Sequence, residues 1–484
     1  MQNSKLIHAL KTFSPKEMRE FNEYVNSPYF NNERPVMELT EILKKVHPKF
    51  DTATPTKEEV YKKLYPGKKY NDSVMRNVLS KTLRLAENFL TLREFENNTD
   101  YYRTILNLRA AGDRNLPFLF DKAREKAIGL LDELPARDSA YYYLALMYED
   151  ELRRFEMRRE SKLYLKEDNI QNVANNMSFY IATELMRTYA VMLNLNKHNF
   201  ERKLEFGFME GMLKAYEDNI DLFKDIHYAN LYYNSIKLFI TEDEQYFNRV
   251  REISRDHYET LPDIDRKNAY VVQINYCAEM VNKGKLEYMK KKLAIYKEIL
   301  ERKAHYEGQP HFSHVLYNGI AFAAINQGEL KWAKEFIETY REELTEMHRE
   351  NSYNTVMSEY YLKKGDTDKA LGYLAAVKRN DPLYKEEVYF LLLKIFYSAG
   401  MTEQFYSEID SFRNFIKEST QISERRKNLA KSFVSLVKKL YSLKLQKELG
   451  QAPDVFSFRK EVLANKYVSD KFWLLDKVNE LEIK

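Results

Sequence analysis

The chain has 484 residues; 31% are charged, yet the net charge is only +4, so no global field selects nucleic acid or a membrane surface. With 13 glycines and 12 prolines there are too few turn-formers for a β-rich fold, and the single cysteine, Cys277, excludes an internal disulfide and any cysteine-based zinc site. Lys, Glu, Leu and Ala recur at helical spacing, so the expected class is all-α. The start carries no apolar core long enough for a secretory signal. The most apolar run, "VYFLLLKIFY" at 388–397, is broken by Lys394 and falls far short of the ~20 residues of a membrane span. A soluble cytoplasmic protein is expected, and the frequent Lys, Asn, Tyr and Ile suit an AT-rich bacterial genome.

Residues 1–97 read as a helical N-terminal domain. "SPKE" places Ser14 as N-cap, Pro15 at the first helical position and Glu17 as the reciprocal cap. A short helix is predicted from Lys57, closed at Pro66-Gly67. A long one follows over 71–97, with Val74, Val78, Leu79, Leu85, Phe89 and Leu92 on one side. Residues 98–267 read as divergent helical hairpins, punctuated at Gly112, 133–139, 194–200, 240–245 and 260–265. The small pair Gly207 and Gly211 predicts close helix packing.

From 268 to 417 a period emerges. Gly284, Gly328, Gly365 and Gly400 stand 44, 37 and 35 residues apart, each between an aromatic-rich segment and a Lys/Glu-rich one. Five residues after each glycine stand Met289, Ala333, Ala370 and Phe405, and nine after stand Leu293, Ile337, Leu374 and Ile409. Such offsets set two helices of a hairpin face to face. Tyr361, Gly365, Ala370, Val377 and Pro382 give the best unit, and Ala321, Trp332 and Ala333 a second. The pattern resembles the tetratricopeptide repeat, which implies a superhelix of helix pairs with a concave groove for peptides or partner proteins. Residues 418–484 then read as C-terminal capping helices, giving an all-α chain with an N-terminal helical domain and an α-solenoid.

The resemblance also implies a groove. Positions ten, six and two before the loop glycines give Asn318, Phe322 and Asn326, then Glu359 and Lys363, then Lys394 with Tyr397 beside it. The mixed charge predicts a ligand segment with acidic and apolar residues, anchored on exposed aromatics. The alternative is a groove filled by the chain's own helices.

Other constellations are open. Lys427, Lys431 and Lys438 share one side of a long amphipathic helix, a basic surface for acidic partners or a solvated face. His305, Glu307, His311 and His314 lie in the insertion that lengthens the first repeat spacing, and their spacing matches no known metal-ligand signature. The helices around Val60, Leu64 and Arg76 resemble the end of the winged-helix domain of bacterial activators. That likeness implies Arg76, Ser80 and Arg84 on DNA bases and Lys68 and Lys69 on phosphates. The rest of that domain is rich in strands, whereas capped helices stand here, which favours a helical cap. No phosphate loop, nucleophile elbow or zinc-protease motif occurs. The expectation is therefore a scaffold without catalysis or cofactor that binds a protein or peptide, with a DNA-binding regulator as the alternative.

Overall fold

Helix starts in this chain are set by side chains that satisfy the orphan backbone N–H groups of the first turn. At both Ser14 and Thr56 the cap hydroxyl accepts from the N–H three residues on, and Glu17 or Glu59 accepts from the cap's own N–H. The computed structural model describes the chain apart from residues 51–53, 98–99, 135, 159–166, 199–203, 307–310, 380–381, 421, 466 and 484. Among the described residues there are 24 α-helices and no strand beyond one isolated bridge, Phe312 to Leu344. None of these helices is long and apolar enough to cross a membrane. The chain forms two compact units, residues 1–133 with 147–169, and 134–146 with 170–484.

The first unit starts with α1 (Lys5–Lys11), α2 (Pro15–Asn26), α3 (Arg34–Val46), α4 (Lys57–Leu64) and α5 (Asp72–Asn97). Their apolar faces meet in one core around Leu10, Phe21, Leu39, Val60 and Phe89. Phe13, Phe21 and Phe89 hold mutual ring distances of 5.5–5.7 Å, a spacing at which aromatic edges and faces attract. Next come α6 (Asp100–Asp113), α7 (Pro117–Asp132) and α8 (Ser139–Arg158), the later part of which belongs to this unit. Phe120 of α7 stacks on Phe155 of α8 at 3.8 Å. Gly112, expected as punctuation, lies buried within α6, where a Cβ would meet the Arg158 guanidinium at 3.0 Å. Its small size admits a neighbour; it does not end the helix.

The second unit contains α9 (Glu167–His198), α10 (Met209–Asp218), α11 (Ile220–Phe223), α12 (His227–Thr241) and α13 (Glu244–Asp256). The break expected over 194–200 is absent as far as His198, because α9 runs through it. Gly207 and Gly211 have nothing within 4 Å of where a Cβ would stand, so the close packing expected of them is not present. Four hairpins follow: α14 (Asp263–Asn282) with α15 (Glu287–Glu301), α16 (His314–Asn326) with α17 (Leu330–Tyr340), α18 (Glu346–Lys363) with α19 (Thr367–Ala375), and α20 (Pro382–Ala399) with α21 (Thr402–Glu418). Long α22 (Glu424–Glu448), α23 (Val455–Ala464) and α24 (Lys471–Ile483) complete the chain.

The four loop glycines sit in the turns inside these hairpins at φ between 70° and 88°, a left-handed conformation that favours glycine. Met289, Ala333, Ala370 and Phe405 are all buried, as are Leu293, Ile337, Leu374 and Ile409, so the register read from the sequence is the packing register. Ala370 is fully buried where α18 meets α19, and the Ser358 hydroxyl donates to its carbonyl at 2.9 Å. Ala370→Trp should therefore overpack the hairpin and cost about 1–3 kcal/mol or more, read as a lower denaturant midpoint. On the same short helix Gly372 has open space around it. Gly372→Ala should raise the midpoint, by about 0.5–1 kcal/mol of helix propensity. The two changes moving the midpoint in the same direction would refute this register.

Candidate binding groove

The first helices of the four hairpins, α14, α16, α18 and α20, form the wall on which a ligand was expected. Four of the seven expected groove residues face the chain's own C-terminal segment. Lys394 of α20 reaches Asp470 at 2.7 Å and both carboxylate oxygens of Glu359 at 3.3 Å. Lys363 reaches Asp476 at 3.4 Å and lies over the Phe472 ring. Tyr397 packs edge-on against Trp473 at 5.3 Å and is only 4% exposed. The exposed aromatic anchor expected at 397 is thus a core residue. The reason is apolar burial: Trp473, Leu474, Leu475 and Val478 of α24 are all buried, and Tyr397 lies in the same core.

Electrostatics holds this cover in place. Burial alone would depress the Lys394 ammonium, but Asp470 and Glu359 more than offset it and keep the lysine charged. Glu359 is pushed up by burial, against the pull of Lys394. Lys471, 1% exposed, donates to the carbonyls of Asn282, Leu463 and Asn465 at 2.8–2.9 Å. Its three protons are all used, ending α14 and α23 on one ammonium.

The other three residues, Asn318, Phe322 and Asn326, belong to α16, and Phe322 and Asn326 border a cavity that Asp470, Lys471 and Phe472 also wall. Successive first helices α16, α18 and α20 touch closely, whereas α14 and α16 stand apart. Two cavities occupy the furrow between them. One, of about 270 Å³, is lined by Met289, Lys292, Phe322, Asp470, Lys471 and Phe472. The other, of about 260 Å³, lies on the preceding turns of the same helices, with Ile274, Tyr296, His305 and Leu316 around it. Asn318 is buried, and its amide oxygen has no partner among the described residues.

The remaining candidates separate. Lys427 pairs with Glu424 at 2.8 Å, Lys431 is exposed, and Lys438 lies over the Tyr406 ring. Lys427 and Lys431 share a cavity of about 420 Å³ with Arg413 and Lys417 of α21, which only the packing of α21 on α22 could reveal. Lys68, Lys69, Arg76, Ser80 and Arg84 are all exposed, with Arg76 held by Asp72 at 2.9 Å. The histidines do not converge. His305 sits in an aromatic cluster with Phe312 and Tyr340, His314 stacks on His348 at 3.8 Å, His311 is exposed, and Glu307 lies outside the described residues. Among the described residues no group of three His, Cys, Asp or Glu is placed to hold a metal ion.

Sequence reasoning missed a buried polar cluster. The Tyr232 hydroxyl donates to Asp265, and both groups are 2% exposed. Burial pushes Asp265 up to about 6, against the Tyr232 hydrogen bond and the Arg187 charge. Its partner is 33 residues away, and Lys471 reaches a carbonyl 189 residues away. No local spacing signals such contacts.

Removing the Lys394 ammonium by Lys394→Met should cost about 3–5 kcal/mol at pH 7. The penalty should shrink as pH falls and Glu359, pushed up by burial, takes up a proton; a penalty independent of pH would refute the pairing. Asp265 binds its proton more tightly folded than unfolded, where its value is near 3.8. Its contribution to stability is therefore full below about pH 4 and lost as pH rises through about 6, a loss of up to ~3 kcal/mol for a two-unit shift. Asp265→Asn should flatten that part of the stability profile, seen as a larger gain in melting temperature at pH 7.5 than at pH 4.5. No protein-family model matches the chain, and neither does any curated protein or any solved structure.

Proposed function

We propose that this chain is a cytoplasmic helical-repeat adaptor, tetratricopeptide-like in residues 268–417, that holds a segment of a protein partner in the furrow between α14 and α16 rather than carrying out catalysis. The observation that carries this reading is the pair of cavities on successive turns of the same helices, beside a stretch of wall already covered by α24. Apolar side chains line the furrow, with Lys267 at one cavity and Lys292 and Lys471 at the other beside Asp470, which is itself paired with Lys394. An apolar segment with acidic residues fits it by charge and by burial. The covered stretch offers a precedent within the chain: Lys363 and Lys394 there receive Asp476 and Asp470, with Phe472 and Trp473 alongside.

A second reading has its own observation. Arg76, Ser80 and Arg84 lie on one exposed stripe of α5, directly after short α4 and an exposed Lys68-Lys69 turn. That order suits a helix that reads DNA.

One experiment separates the two. Affinity purification of the native chain and of Ala323→Arg, with and without nuclease, should recover a nuclease-resistant protein partner that the substitution loses. Ala323 lines the furrow and is half-buried, so the melting curve should hold. Equal recovery from both chains would overturn the adaptor reading. A nuclease-sensitive complex lost with Arg76→Ala and Arg84→Ala would establish the regulator instead.

A further inference from the structure

Most basic side chains on α22 have a carboxylate partner. Arg425 meets Glu279, Arg426 meets Glu386, Lys439 meets Glu461 and Lys444 meets Glu448. Lys431 is different: among the described residues no carboxylate lies within ion-pair distance of it, and the same holds for Lys417 on the facing helix α21. Both side chains are exposed, and both border one crevice.

That crevice, of about 420 Å³, lies where the end of α21 packs on the start of α22. A spacing of four residues on each helix, Arg413 to Lys417 and Lys427 to Lys431, brings two cations to each wall. Ile416 and Val434, both buried, lie between them. Glu424 is the one carboxylate in the lining, and Lys427 already holds it at 2.8 Å. Arg413 stands 3.7 Å from Asp410 in an exposed contact of the kind that water largely screens. Four positive charges against one negative therefore share the crevice. Like charges gathered in this way repel, and a bound anion relieves the repulsion.

The surroundings narrow the choice of anion. No lining residue is aromatic, so the stacking platforms that hold single-stranded nucleic acid are missing from this crevice. Further along α22, Lys438 lies over the Tyr406 ring and Lys439 is paired, so a long polyanion finds no continuous basic strip to follow. The volume falls within the ~300–1,000 Å³ of small-molecule sites. Guanidinium and ammonium groups are the usual partners of phosphate oxygens, and linked phosphates can meet both walls where a single phosphate cannot.

We propose that the crevice between α21 and α22 binds a small polyanion of linked phosphates, an inorganic polyphosphate or the triphosphate of a nucleotide, held between Lys417 and Lys431 with Arg413 and Lys427 beside them.

The probes are tripolyphosphate, inorganic phosphate and ATP, titrated calorimetrically into the full chain at ~150 mM salt, where exposed charges further apart than ~8 Å are screened. Tripolyphosphate should bind about tenfold or more tightly than inorganic phosphate, and Lys417→Gln with Lys431→Gln should weaken it about tenfold or more. Both lysines are exposed, so the melting curve should hold. Lys438→Gln with Lys439→Gln removes the same charge from the same helix pair outside the crevice and should leave the affinity unchanged. ATP binding more tightly than tripolyphosphate assigns the site to a nucleotide; equal or weaker binding assigns it to the phosphate chain alone. Tripolyphosphate binding no tighter than inorganic phosphate, or equal weakening by the two double substitutions, would overturn the proposal. So would a single-stranded oligonucleotide that binds more tightly than tripolyphosphate and is lost with Lys417 and Lys431. The outcome is separable from the adaptor test, because Ala323 does not line this crevice.

Discussion

Lys471 puts an ammonium where water does not reach, and three backbone carbonyls meet it there. A buried charge is tolerable only when every proton is matched, and these carbonyls come from the ends of α14 and α23 and from the loop after α23. One side chain thus joins the last helical pair to the first of the four glycine hairpins. The residue before it, Asp470, takes a left-handed backbone conformation and meets Lys394. With Lys471 and Asp470 set, α24 lies against α14, α22 and α23, and Lys363 of α18 and Tyr397 of α20 reach it with their side chains.

The open part of the wall has a different cause. The spacing from Gly284 to Gly328 is 44 residues, longer than the 37 and 35 that follow. The extra chain includes the turn at His305, which packs on α14 and α15; α14 and α16 stand apart, while α16, α18 and α20 stay in contact. Where two neighbouring first helices lose their mutual contact, a furrow is left between them. Aromatic side chains from α15 and the insertion then line its floor rather than fill it.

Burial also decides which charged groups matter. Exposed pairs such as Arg34 with Glu38 add a few tenths of a kcal/mol at most. Buried groups such as Asp265, Glu359 and Lys394 hold large opposed terms, and their balance makes stability depend on pH. The polar groups of consequence are therefore not those on the amphipathic surfaces that a sequence displays.

The sequence by itself determined the helical class, the cap at Ser14, the turn glycines of four hairpins and the register of Ala333 and Ala370 within them. All of these are local. Caps act over three residues, and facing helices in one hairpin are joined by a short turn, so period and spacing report them. Asn318, Phe322 and Asn326 were placed correctly on a first helix by the same logic. Tertiary structure alone decided that Tyr397, Lys394 and Glu359 lie under the C-terminal segment, that α14 and α16 part, and that His305 packs on Phe312 and Tyr340 rather than on its neighbouring histidines. Those outcomes depend on where the apolar residues of the last helix find a core and on polar contacts that span from 35 to 189 residues of chain. Contacts at such separation leave no periodic trace in a single sequence, because many surfaces compete to bury the same face and only the folded geometry selects among them.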